Sequence, residues 1–167
     1  MIRLHDFRSY EKEALKLGSY WKCYEERWNY YRIAMLQLAE WDVETLLEIG
    51  PKGLPCSPNS DTVDKVEGAT FLHDVREPWP FADNQYDAVV GLQVWEHLEG
   101  EQQQAFQEAR RVGKRLILSF PYLWETGDEI HRDVSLEQIM SWVCHERPFR
   151  DVIVCRPGKR RIVMAWK

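Results

Sequence analysis

The sequence predicts an α/β fold: a mostly parallel sheet, extended by an antiparallel C-terminal hairpin and preceded by an N-terminal helical segment. Three features of the chain predict it. From Asp42 onward, short apolar runs alternate with helical patterns, as in a parallel sheet built from crossover units. Before that point, large side chains recur at spacings of three and four. Near the end, two strand-like runs flank a Pro-Gly turn.

The elements follow in order. Leu17, Trp21, Tyr24, Trp28, Tyr31, Met35 and Leu38 share one helix face, and Gly18-Ser19 divides the region into a short and a long helix, with Ser19 as the second N-cap. Val43 to Ile49 reads as a buried strand ending at Gly50. Asp61 to Asp64, Thr70 to Asp74 and Tyr86 to Leu92 are three more strands. Glu101 to Val112 is a helix that turns Ala105, Phe106, Ala109 and Val112 inward. Arg115 to Phe120 is a strand stopped by Pro121, and Ser135 caps a helix through Ile139, Met140 and Val143. Asp151 to Cys155 and Arg161 to Trp166 make the hairpin around residues 156–160. Two crossovers are thin. Pro51, Pro55 and Pro58 oppose a helix after the first strand, because an interior proline costs a helix about 3 kcal/mol. Lys65 to Ala69 is too short for one. The aromatic N-terminal segment, residues 1–41, is the candidate to cover that face, as packing helix or lid, with the sheet domain at 42–167.

Composition narrows the function. At 167 residues, 44% hydrophobic and 29% charged, the chain reads as one globular domain. A net charge of -5 opposes a phosphate-tracking surface, so neither nucleic acid nor an anionic membrane is expected as partner. The apolar runs fall short of the ~18 residues a spanning helix needs. Met1 to Asp6 contains no apolar core of a secretory signal. Cys23, Cys56, Cys144 and Cys155 are dispersed with no C-x-x-C, which fits a reducing, cytoplasmic location. Cys144 falls at a helix C-terminus, where the dipole opposes a thiolate, and is expected to be buried packing. Eight Trp, seven Tyr and six Phe supply rings for a core or an aromatic pocket. The aromatic stripe from Trp21 to Tyr31 also has heptad spacing, which suits a homodimer through that helix.

In open parallel sheets, ligands sit beyond the carboxyl ends of the strands. Here those ends read Glu48-Ile49-Gly50-Pro51-Lys52-Gly53, then Asp64, then His73-Asp74-Val75, then Gln93-Val94-Trp95-Glu96-His97. Glycines admit close backbone approach, Asp64 suits ribose hydroxyls and Asp74 suits a purine amino group. Leu46 to Gly53, His73 to Val75, Trp79 to Val90 and Val94 to Leu98, in that order and spacing, resemble the class I S-adenosylmethionine-dependent methyltransferases, closest to the small-molecule branch. The resemblance runs from Val43 to about Trp142. It implies a Rossmann-like methyltransferase sheet, S-adenosylmethionine as cofactor and methyl transfer to a small metabolite. It also implies that Glu48, Gly50 and Gly53 shape the loop under the methionine moiety and that Asp64 holds the ribose. Asp74 and Val75 would flank the adenine, with Gln93 beside the cofactor. His97 and His131, neutral near pH 7, are the candidate catalytic bases.

Rival readings lack their motifs. A nicotinamide-binding Rossmann oxidoreductase needs G-x-G-x-x-G running into a helix, where this chain has Gly50-Pro51-Lys52-Gly53-Leu54-Pro55. Neither a P-loop nor a G-x-S-x-G elbow occurs. Lys159-Arg160-Arg161 reads as a solvated hairpin edge. Asp128, His131, Asp133 and His97 are residue types that bind metal, but they read as loop and capping residues, so no metal is assigned. The thinned glycine loop keeps open a catalytically inactive, methyltransferase-like binding subunit.

Overall fold

The computed structural model describes residues 2–125, 128–156 and 159–167. Seven strands form one sheet: β1 (Leu46–Ile49), β2 (Asp61–Asp64), β3 (Phe71–Leu72), β4 (Ala88–Leu92), β5 (Leu116–Pro121), β6 (Arg150–Arg156) and β7 (Lys159–Trp166). Their order is β3-β2-β1-β4-β5-β7-β6. The first five run parallel, and β7 is antiparallel to both β5 and β6. The order reverses beside β1, which pairs with β2 on one side (Leu47↔Asp61) and β4 on the other (Leu46↔Ala88). Such a reversal opens a crevice at the strand ends.

The continuous apolar runs of β1 and β5 fit strands covered on both faces. Leu47, Ile49, Val89, Leu116 and Leu118 face one core with the helices α3 (Gln102–Val112) and α4 (Leu136–Trp142). Leu46, Ala88, Val90 and Ile117 face the other, beneath α1 (Phe7–Lys16) and α2 (Tyr24–Glu40). Tyr30, Tyr31, Ala34, Met35 and Leu38 are the buried apolar side of α2. Around them the Tyr10 ring meets those of Trp28 at 5.1 Å and Tyr31 at 5.3 Å. The N-terminal segment therefore covers the sheet face that lacks crossover helices, since neither residues 51–60 nor 65–69 form one.

Several boundaries differ from the sequence expectation. β1 begins at Leu46, not Val43, because Glu44 and Thr45 donate their N–H groups to the Asp87 carboxylate instead of a ladder. Pro121 is the last residue of β5, paired with Arg161, and does not stop the strand before it. Ser135 caps α4 by accepting from the Gln138 N–H, as its sequence position predicts. Ser19 does not cap α2. It opens a short 3-10 turn, Ser19–Trp21, after Gly18 (φ 81°), and Cys23 stands at the α2 cap position without a side-chain capping bond. That break takes Leu17 out of the shared face, and it is exposed. Cys144 is exposed too, because α4 ends at Trp142 and the left-handed Cys144 and His145 turn the chain outward. The hairpin turn at 157–158 lies outside the described residues. No described helix is long and apolar enough to cross a membrane.

Candidate functional site

A cavity of about 200 Å³ lies at the carboxyl ends of β1 to β4. Gly50, Asp64, Asp74, Val75, Gln93 and His97 line it. Another part of its wall comes from the N-terminal segment: Tyr20, Trp21, Arg27 and Tyr31.

The loop after β1 is held without a helix. Glu48 is buried on the α2 side of β1, and its carboxylate accepts the N–H groups of Cys56 (2.6 Å) and Ser57 (3.0 Å). Burial raises its pKa, while those donors favour the charged form. From outside, the Tyr31 hydroxyl donates to Leu54 O at 3.2 Å and the Trp21 indole N–H to Lys52 O at 3.2 Å. Glu48 thus acts on the loop from beneath and does not line the cavity. Gly50 has φ 61°, and a Cβ there would come within 2.9 Å of Val94 Cγ2. Its missing side chain makes room for Val94 in the first place. Gly53 lies outside the cavity and packs against Leu17.

The two carboxylates at the next strand ends are partly engaged. Asp64 accepts from the Lys52 N–H (3.1 Å) and the Lys65 N–H (2.7 Å). Asp74 is half-buried, not buried, and is chelated by Arg76, whose Nη2 lies 2.7 Å from Oδ2. The Arg76 guanidinium holds that carboxyl well below the usual carboxylate range. Arg76 also reaches Glu99 at 2.8 Å. Gln93, at φ 57°, donates from its amide to Ser119 Oγ and accepts from Arg161 Nε at 3.2 Å. His73 Nε2 is buried in the wall with no hydrogen-bond partner among the described residues.

Beyond β4, a 3-10 turn, Trp95–His97, brings Glu96 and His97 together with His131 from the loop after β5, beside the cavity that His97 lines. His97 and His131 meet edge to face, with ring centres 5.2 Å apart. Burial, followed by the charges of His131 and Lys52, lowers the His97 pKa. His131 is stacked on Trp124 at 5.1 Å, and its Nδ1 is hydrogen-bonded to the Asp128 carboxylate. The Glu96 side chain is fully buried, and both its oxygens lack hydrogen-bond partners among the described residues. Burial pushes its pKa up to about 8. His131 Nε2 lies 3.9 Å from Glu96 Oε1. His131 borders the cavity through His97 and does not line it. Asp133 takes a left-handed turn conformation and is not part of this group. Sequence reasoning passed over Glu96, although a carboxylate inside Val94-Trp95-Glu96-His97-Leu98 was a visible anomaly.

Residues 37–116 match a family model described as a methyltransferase domain. A search of curated proteins found no relative by sequence. Similar solved structures include the PH0226 protein from Pyrococcus horikoshii OT3, with 14% identity over 90% of this chain and 92% of that one, at a TM-score of 0.64. The N-methyltransferase NodS from Bradyrhizobium japonicum WM9 is 15% identical over 82% of this chain and 95% of that one, at a TM-score of 0.54. The [4+2]-cyclase SpnF is 12% identical over 81% and 79%, at a TM-score of 0.61. At such identities the likeness is one of fold, and SpnF is a reminder that fold does not dictate chemistry. With the methyltransferase-domain pattern over 37–116 and this order of strands around β1 and β4, the chain has the Rossmann-like fold of the class I methyltransferases.

Proposed function

We propose that the cavity binds S-adenosylmethionine and that the protein methylates a small metabolite at an oxygen, nitrogen or carbon. The carrying observation is convergence: of the seven residues expected to hold the cofactor, Gly50, Asp64, Asp74, Val75 and Gln93 line one cavity at the switch point of the sheet. The unpartnered His73 Nε2 in the same wall supports a polar ligand there, since buried polar atoms are ordinarily hydrogen-bonded. Asp64 would take the ribose hydroxyls and Asp74 the adenine amino group. Lys52 and Arg27, both over the Tyr20 ring, stand ready for a carboxylate. When bound, the cofactor supplies an electrophilic methyl group on a sulfonium. This chain's part is to hold donor and acceptor in line, a contribution of up to about 7–11 kcal/mol in favourable cases.

One observation favours a second reading, a non-catalytic binding subunit: Asp74 is already neutralised by Arg76. Calorimetric titration with S-adenosylmethionine separates the two. We expect saturable binding, weakened by about 1–3 kcal/mol in Asp74→Ala through loss of a charged acceptor. Absence of heat at high protein concentration would count for the binding subunit. Unchanged affinity in a well-folded Asp74→Ala would remove that residue from the site.

A further inference from the structure

We propose that Glu96, His97 and His131 form a divalent-cation site beside the cavity, suited to a first-row transition ion such as Zn²⁺ or Mn²⁺. One ligand atom from each residue lies within 4.8 Å of the others. Glu96 supplies the strongest observation. Its side chain is fully excluded from solvent, and neither oxygen has a hydrogen-bond donor among the described residues. A buried carboxylate left bare is costly, and coordination to a cation is one of the few ways to satisfy it.

His131 is oriented for the same role. Its Nδ1 bonds the Asp128 carboxylate, which favours the proton there and leaves a lone pair on Nε2. That nitrogen faces Glu96 Oε1 at 3.9 Å. Two ligand atoms, each about 2.1 Å from one ion, stand about 3–3.5 Å apart, so a small closing movement completes the pair. A carboxylate behind a ligating imidazole is the usual outer support of such sites. The Trp124 ring stacked on His131 keeps the imidazole plane in place.

The donor set decides the class of ion. Two imidazoles with one carboxylate suit transition metals, whereas Ca²⁺ and Mg²⁺ prefer oxygen-only shells. Three protein donors leave coordination positions open. His97 also lines the cavity, so the ion would border it. The assignment replaces the general-base role expected for His97 and His131, because a nitrogen bonded to a cation has no lone pair for a proton. It stands on these residues alone and does not depend on methyl transfer.

The test uses the tag-free full chain, stripped with EDTA and dialysed, then titrated with Zn²⁺ and separately with Co²⁺, without S-adenosylmethionine. We expect one equivalent bound per chain and a visible Co²⁺ absorption band. Asp128→Asn should weaken binding by about 10–100-fold, and Glu96→Gln and His131→Asn by at least as much. No stoichiometric binding by the wild type would overturn the proposal, as would wild-type affinity in natively folded Glu96→Gln or His131→Asn. Should those variants fail to fold, Mn²⁺ broadening of the histidine ring signals in the wild type decides. Selective broadening of His97 and His131 supports the site, and broadening elsewhere overturns it. Cofactor titration is a separate experiment, so either result can fail without the other.

Discussion

Gly50 shows how a residue can be legible while its reason is not. A glycine at the end of β1 was expected to open space for a ligand. The structure places Val94 against it, with the backbone at φ 61°. Gly50→Ala therefore meets two penalties, a left-handed backbone and a methyl pressed on Val94. Together they should lower stability by about 2–4 kcal/mol in urea unfolding. A Val94→Ala background should recover the packing part and leave the backbone part. Equal losses in both backgrounds would show that Val94 is not the obstacle. Glu96 and His131 were harder to read, because 35 positions separate them and only the folded loop after β5 brings them together.

Asp87 works at the level of elements. It precedes β4, accepts the N–H groups of Glu44 and Thr45 ahead of β1, and pairs with Lys114 at 2.8 Å ahead of β5. One carboxylate thus ties together the entrances of three adjacent strands. The Lys114 ammonium, helped by those backbone donors, depresses its pKa to about 2. The unfolded value is near 4, so the stabilisation is present above pH 4 and is lost as pH falls toward 2. Asp87→Asn should cost about 1 kcal/mol at neutral pH, solvent screening included, and flatten the stability curve between pH 4 and 2. An unchanged acid limb in chemical denaturation would contradict this. The elements themselves were largely legible, because buried parallel strands write continuous apolar runs into the sequence and prolines 51, 55 and 58 announce the missing crossover helix. Strand starts and helix caps were less so, since Asp87 and Gly18 act through tertiary contacts and backbone angles.

At the scale of the whole molecule, the mostly parallel sheet with its antiparallel C-terminal hairpin followed from the alternation of patterns, whereas the strand order came only with the fold, and five of the seven expected cofactor residues share one cavity. Gly53 and Glu48 fall outside it because the proline-rich loop, having no helix, folds back over β1. The same shortage has a thermodynamic consequence. Tyr20, Trp21, Arg27 and Tyr31 finish a wall that a crossover helix would otherwise flank, so any occupant touches both the sheet and the segment before it. Occupancy and docking of that segment are then reciprocally linked. A saturating ligand should slow amide hydrogen exchange along Tyr24–Glu40 as well as at the strand ends. Conversely, Tyr31→Phe removes the bond to Leu54 O and loosens docking by about 1 kcal/mol. It should lower ligand affinity even where the hydroxyl makes no contact with the ligand, and identical exchange in the free and bound protein would show the two to be uncoupled. On this account the N-terminal helices report the occupancy of the cavity: local opening of α2 becomes rarer whenever the cavity is filled.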